Sequence, residues 1–159
     1  MENSPFNSCL ENGLRALTIL TAVYPGTADL QRLLMFDYLL VHSSDAAGPP
    51  SLHPSTPLRN GELLVRRGLV EQGLLLLASR KFVGRRVAPT GIEYVATEDA
   101  SPFLDRLASP YIKALRLRAS WIEETFTKMD DLELRIFFDS RFEQWTTEFQ
   151  TPEGIGEIS

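Results

Sequence analysis

Two histidines and an aspartate lie close together in the sequence and are the first residues to consider for chemistry. His42, Asp45 and His53 bracket a proline-rich stretch, and Glu62 follows nearby. Imidazole and carboxylate groups are the usual ligands of catalytic zinc and iron. Their spacing matches no metal signature, and no His-Glu-x-x-His motif occurs. The favoured interpretation is structural: these side chains end a helix and tether a loop. A small metal-dependent enzyme is the alternative.

Other catalytic patterns are missing from the sequence. It contains no Gly-x-Ser-x-Gly elbow, no phosphate-binding P-loop and no dinucleotide-binding glycine motif. Cys9 is the one cysteine and has no base near it in sequence. We therefore expect a protein that is not an enzyme and uses no cofactor or metal. A single cysteine is typical of a reducing, cytoplasmic compartment. No apolar run approaches the roughly 20 residues of a membrane span.

Basic residues are concentrated in the middle of the chain. The 159 residues carry a net charge of −5, yet residues 59–86 hold seven basic and two acidic side chains. Residues 119–159 hold three basic and ten acidic side chains. Such asymmetry indicates two surfaces for different partners. The possible nucleic-acid contacts are Arg66, Arg67, Arg80, Lys81, Arg85 and Arg86. The alternative is a cationic face that pairs with the acidic C-terminal helices, in the same chain or in a partner.

Periodicity and capping residues predict the elements that would position these side chains. Ser8 and Glu11 have the spacing of a capping box, and Thr27 is the predicted cap of a second helix over about 28–42. A loop covers 43–58, and Thr56-Pro57 opens a third helix that ends near Ser79. Short strands on both sides of a turn at 89–91 then form a hairpin.

Three further helices complete the chain. Thr97 caps a short one, Ser109-Pro110 opens a long one, and the Asp130–Glu133 spacing opens the last. The order predicts a mainly α fold with a small β-hairpin. We expect a winged-helix-like domain over 1–108, a C-terminal helical docking extension over 109–149 and a flexible tail over 150–159.

Aromatic residues crowd the last two predicted helices. Trp and Phe are common anchors of protein interfaces. The residues predicted to dock a partner are Trp121, Phe138, Trp145 and Phe149. The alternative is that this aromatic stripe packs back onto the rest of the chain, since an amphipathic pattern does not say what covers it.

The block from residue 36 to residue 80 resembles the small middle component of bacterial ABC-three-component systems, the group that includes the Lamassu defence systems. The matching pieces are residues 36–43, 51–54 and 57–67, with further agreement at 96–97, 102–104 and 118–121. The resemblance extends over roughly residues 10–150.

This resemblance implies partners and a role. A middle component would bridge an SMC- or Rad50-like ATPase to an effector, often a nuclease, in an anti-phage or anti-plasmid complex. For the basic segment, contact with DNA or with protein is left open, and any DNA contact is expected only within that complex. No membrane partner is expected. His42, His53 and Arg59 would be signature residues that shape the loop. The alternative function is a homodimeric winged-helix transcription regulator that uses its long C-terminal helices as a dimer arm.

Overall fold

The computed structural model describes residues 8–53 and 62–141. Within these ranges the chain is mainly helical with a small antiparallel sheet, as predicted. The elements in chain order are α1 (Cys9–Val23), β1 (Ala28–Asp29), α2 (Leu30–Val41), a 3-10 turn (Ser43–Ala46), α3 (Glu62–Ser79), β2 (Val83–Ala88), β3 (Gly91–Ala96), α4 (Ala100–Leu107), α5 (Pro110–Phe126) and α6 (Asp131–Arg141).

Three predicted helix starts are confirmed in atomic detail. The Ser8 hydroxyl accepts a hydrogen bond from the Glu11 amide at 3.0 Å and caps α1. The Ser109 hydroxyl caps α5 in the same way. At α6 the capping box is reciprocal, because the Glu133 amide donates to Asp130 at 2.8 Å and the Asp130 amide donates to Glu133 at 2.9 Å.

The predicted start of the second helix is wrong. Ala28 and Asp29 form β1, which pairs with Tyr94 and Glu93 of β3, so α2 begins only at Leu30. Its cap is Asp29, whose carboxylate accepts from the Arg32 amide at 2.9 Å. β1 forms because it pairs with a strand more than 60 positions away in the sequence. Local periodicity cannot predict a strand whose pairing partner is so distant.

Two other predicted caps have different outcomes. Thr97 does not begin α4, which starts at Ala100; its hydroxyl instead donates to the Lys81 carbonyl at 2.8 Å. The predicted start of the third helix at Thr56-Pro57 lies outside the described residues, and the described part of α3 begins at Glu62.

The predicted hairpin is confirmed and extended by β1. The sheet order is β1-β3-β2, and all neighbours are antiparallel. In the β2–β3 register Val83 faces Ala96, Arg85 faces Tyr94 and Val87 faces Ile92. Because side chains alternate along a strand, these pairs share one face of the sheet. That face is buried where the hairpin meets the helices and exposed at the hairpin tip.

One hydrophobic cluster joins the whole described part. α1 and α3 cross closely at Gly13 and Gly73, where a Cβ on Gly73 would overlap the backbone of Cys9 and Gly13. α5 packs on both α1 and α2. The same cluster contains residues of α5 and α6, among them Leu115, Ile122, Leu134 and Phe138. The predicted boundary at 108/109 falls at the α4–α5 junction, and α5 and α6 pack on the preceding helices.

Candidate functional site

The adjacent residues Arg66 and Arg67 of α3 lie in different environments. Arg66 Nη1 donates to Asp37 Oδ2 at 2.9 Å, and only 22% of the Arg66 side chain is exposed. Arg67, the next residue, is exposed. The structure therefore gives Arg66 a partner inside the protein, whereas Arg67 stays on the surface. The predicted nucleic-acid contact of Arg66 is untested, and its guanidinium is already engaged.

The other predicted basic contacts lie on or beside the hairpin. Arg80 and Lys81 occupy the exposed connection between α3 and β2, and Arg85 and Arg86 are exposed on β2. Arg86 Nη2 pairs with Glu93 Oε1 at 3.0 Å across the strands. That hydrogen bond, together with one from Thr27, lowers the pKa of Glu93. Among the described residues, Arg67, Arg80, Lys81 and Arg85 form no ion pair.

Where α1, α2 and α3 meet lies a largely buried group of three charges that we call the polar clamp: Arg15 of α1, Asp37 of α2 and Arg66 of α3. Arg15 Nε donates to Asp37 Oδ1 at 2.7 Å and Arg15 Nη2 donates to Asp37 Oδ2 at 3.3 Å, a two-point contact. Arg15 and Asp37 are 2% and 1% exposed. Asn12 accepts a further hydrogen bond from Arg15 at 2.7 Å. The clamp thus connects three helices through charge-assisted hydrogen bonds.

Electrostatics keep the clamp charged. Burial alone would raise the pKa of the Asp37 carboxyl, but the charges and hydrogen bonds of Arg15 and Arg66 hold that pKa below its usual value. Burial opposes the charge on Arg15, and Asp37 more than offsets it, so the pKa of Arg15 is raised. The clamp satisfies an otherwise costly buried carboxylate, so its geometry fits a structural role.

The two histidines lie next to this clamp and do not meet in a metal site. His53 Nε2 and the Tyr111 hydroxyl of α5 are 2.8 Å apart, and the two rings stack. The centroids of the His42 and Tyr38 rings are 4.7 Å apart, and the buried Nδ1 of His42 has no hydrogen-bond partner among the described residues. In the described ranges, no group of three or more His, Cys, Asp or Glu side chains is arranged to hold a metal ion.

Burial also sets the protonation of these histidines. It lowers the pKa of His53 to about 4, with the charge on Arg15 contributing in the same direction. Burial and Arg66 likewise lower the pKa of His42. Both imidazoles are neutral near pH 7. The third signature residue, Arg59, lies outside the described residues.

The described part of the proline-rich loop is fastened along α5. Arg118 Nε and Nη2 both donate to the Pro50 carbonyl, at 3.0 and 2.6 Å. Gly48 lies so close to the Trp121 ring that a Cβ there would overlap it. The Ser43 hydroxyl donates to the Pro49 carbonyl at 2.8 Å. Residues 43–53 therefore form an ordered strap, and Trp121 is half-buried beneath it.

The aromatic stripe has a buried part within the described residues. Phe138 is 1% exposed and belongs to the hydrophobic core. Its ring contacts the partly buried Phe137, which in turn contacts Phe126. This burial favours the interpretation that Phe138 packs on its own chain, and its docking role stays a prediction. Trp145 and Phe149 lie outside the described residues. On the opposite side of α6, Leu132 and Ile136 are exposed.

Sequence reasoning missed the polar clamp. The signal was available: Asp37 is the one charged residue in the apolar stretch 33–41. A carboxylate inside such a helix requires a cation, because an unpaired buried charge is very costly. The sequence could not name Arg15 and Arg66 as its partners, since both lie more than 20 positions away.

These features define a mainly helical domain with a small three-stranded sheet, a basic hairpin and the polar clamp. The family model for Middle Component 2 of ABC-three-component (ABC-3C) systems matches residues 5–148, and the chain belongs to this family. No curated protein and no solved structure matches the chain. Across the described helices, none has the length and apolar character needed to span a bilayer.

Proposed function

We propose that the chain is a non-enzymatic adaptor that bridges an SMC- or Rad50-like ATPase to an effector, such as a nuclease, in a bacterial defence complex of the Lamassu type. The observation that carries this proposal is the family match, which spans residues 5–148 and describes the middle component of a three-component system. Such a complex acts on invading phage or plasmid DNA in the cytoplasm, where the single cysteine would stay reduced.

The connectivity supports a winged-helix-like unit as the body of this adaptor. The order α1-β1-α2-α3-β2-β3, with β1 paired to β3, leaves the β2–β3 hairpin projecting as a wing beside α3. The conspicuous polar residues are engaged in holding this unit together. Asp37 joins three helices, and His53 joins the strap to α5. These contacts support a scaffold role better than a catalytic one.

The proposal places two partners on two surfaces of opposite charge. The C-terminal segment carries Trp145 and Phe149 among acidic residues. The hairpin side carries cations that form no ion pair with another described residue. An adaptor needs two separate binding surfaces, and two segments of opposite charge fit that requirement.

Co-expression tests the adaptor role. The tagged full chain should co-purify with the large ATPase and with the effector encoded by the adjacent genes. Failure to retain either neighbour would contradict the proposal.

Two substitutions compare docking with packing. Trp145→Ala should leave the melting temperature unchanged and weaken partner binding by about thirtyfold, as for an interface anchor. Phe138→Ala is the matched comparison, because Phe138 is buried in the chain. It should cost about 3–5 kcal/mol of folding stability. A large fall in the melting temperature of Trp145→Ala would assign Trp145 to the core instead.

The exposed basic hairpin beside α3 favours a second candidate, a homodimeric winged-helix transcription regulator. That function requires tight, sequence-specific binding of a palindromic duplex by the isolated protein at physiological salt. The adaptor proposal expects weak, salt-sensitive binding at most, because the C-terminal part is acidic. A gel-shift or anisotropy titration distinguishes the two.

A further inference from the structure

An exposed surface of mixed character lies where α3 meets the hairpin, and we call it the hairpin surface. It consists of Arg67, Glu71, Leu75, Arg85, Val87 and Ile92. Arg67, Glu71 and Leu75 repeat every four residues and so follow one stripe of α3. Arg85, Val87 and Ile92 share the face of the sheet whose inner end is buried.

The two halves of this surface meet around Tyr94. Tyr94 is Arg85's cross-strand partner and is 4% exposed. Burial raises the pKa of Tyr94, and the charges of Arg85, Glu71 and Arg67 also act on its phenol. α3 packs against β2, so the helix stripe and the hairpin lie side by side.

Large aliphatic side chains are exposed on this surface. Val87 is 85% exposed, Leu75 is 45% exposed and Ile92 is 40% exposed. Val87 and Ile92 form a cross-strand pair at the hairpin tip. Aliphatic side chains gain nothing from a phosphate backbone, whereas they gain free energy when an apolar partner covers them.

The charges of the surface also favour a polypeptide over a nucleic acid. Arg67 and Arg85 form no ion pair among the described residues, so both can receive carboxylates. Glu71 lies between Arg67 and Leu75 on the helix stripe and interrupts the basic charge that a DNA backbone, with a phosphate at every nucleotide, would contact. Arg66, which would have added a cation to α3, is turned inward to Asp37. The surface thus offers two separated cations beside an apolar tip.

We propose that the hairpin surface docks a segment of a partner subunit that presents carboxylates beside apolar side chains. Arg67 and Arg85 pair with the carboxylates, and Val87 and Ile92 pack against the apolar side chains. The partner is a polypeptide and not DNA. This inference rests on the proposed adaptor function and identifies one of its docking surfaces and the chemistry of the segment that binds there.

The test uses the full chain co-expressed with the two proteins encoded by the adjacent genes. Arg85→Glu and Val87→Asp change residues that are exposed in the free chain, so both variants should keep the wild-type melting temperature. Each should weaken capture of one neighbour by about tenfold or more, as expected for residues at an interface centre. Capture by the wild type should also weaken at high salt. Arg106→Glu on α4 and Leu117→Ser on α5 are matched controls, because both residues are exposed elsewhere, and capture should not change.

The outcomes are distinguishable. If the wild type captures no neighbour, the adaptor function fails and this proposal fails with it. If the wild type captures a neighbour and both hairpin variants do so equally well, only the docking surface is wrong. Tight duplex binding that Arg85→Glu abolishes would assign the surface to nucleic acid and overturn the proposal. Faster hydrogen exchange of residues 142–159 in partner-free Arg85→Glu would assign the surface to the chain's own acidic segment, which also overturns it.

Discussion

The polar clamp and the hairpin surface use the same residue type in opposite ways. Arg15 and Arg66 are held against a buried carboxylate, whereas Arg67 and Arg85 are exposed and have no ionic partner among the described residues. Arg66 and Arg67 are adjacent in sequence but point in different directions from the helix. Arg66 is therefore turned toward Asp37, whereas Arg67 is exposed and can bind a partner. Arginine content therefore overstates the charge that a DNA backbone could contact on this face.

The largest effect should follow from breaking the clamp. Asp37→Asn removes the negative charge that Arg15 and Arg66 share and leaves the buried Arg15 with the more distant Glu11 carboxylate at 3.6 Å. Removal of one partner from a buried ion pair costs about 3–5 kcal/mol. For a domain of this size, that loss lowers the melting temperature by roughly 10 °C. Thermal unfolding followed by circular dichroism measures it. A change of about 2 °C or less would mean that the clamp is not held as described.

A pair of glycines on α3 compares its packed side with its open side. Gly73→Ala would force a Cβ into the backbone of α1 and should cost about 1–3 kcal/mol of stability. No atom of the part of the chain that the structure describes lies within 4 Å of a Cβ added at Gly68, so Gly68→Ala should stabilise the helix by up to about 1 kcal/mol. Chemical denaturation of the two variants measures the change in the free energy of unfolding, which should be negative for Gly73→Ala and positive for Gly68→Ala. Destabilisation of equal size would contradict the helix crossing.

Adjacent arginines provide the sharpest comparison. Arg66→Met removes one charge-assisted hydrogen bond from Asp37 and should cost about 1.5 kcal/mol. Arg67→Met should change stability by less than about 0.5 kcal/mol, as for an exposed residue. Equal effects on the urea midpoint would show that the two side chains have similar environments and would remove the distinction between the clamp and the surface.

Lowering the pH from 6.5 toward 4 should reduce the stability of the folded protein around the strap, with a smaller effect than the substitutions above. Burial lowers the pKa of His53 from 6.5 to about 4 and lowers that of His42. The unfolded chain therefore binds more protons than the folded protein in this range, so stability is full above pH 6.5 and falls as the pH drops toward 4. Asp37 contributes differently, because its lowered pKa places its loss of stability below pH 3.8.

The substitution His53→Gln isolates the strap in this titration. Glutamine keeps a group that can hydrogen-bond to Tyr111 but does not titrate, so it should flatten the pH dependence of the melting temperature between pH 6.5 and 4. An unchanged slope would assign the effect to His42.

The confirmed helix caps and the hairpin turn could be predicted because they depend on residues that are close together in the sequence. The caps at Ser8, Ser109 and Asp130 and the turn of the hairpin follow from residues within three or four positions of one another. β1 was missed because Ala28 and Asp29 pair with a strand about 65 positions away. The inward turn of Arg66 could not be predicted, because helix phase does not reveal where the buried Asp37 lies.

The sequence predicted which residue types the candidate site contains, but it did not predict which of them are paired and which are exposed. The sequence placed the basic residues in the middle of the chain. The structure pairs Arg66 with Asp37 and Arg86 with Glu93, whereas Arg67 and Arg85 form no ion pair within the described ranges. In the structure His42 follows the last residue of α2, and His53 contacts Tyr111 of α5. The strap contacts made by Arg118 and Trp121 depend on the packing of α5.

An omission experiment tests the adaptor role most directly. The ATPase and the effector encoded by the adjacent genes are co-expressed with and without this chain, and the effector retained on the tagged ATPase is measured. We expect retention only when the chain is present, and reduced retention with Arg85→Glu or Trp145→Ala. Equal retention of the effector in the absence of the chain would contradict its role as the bridge.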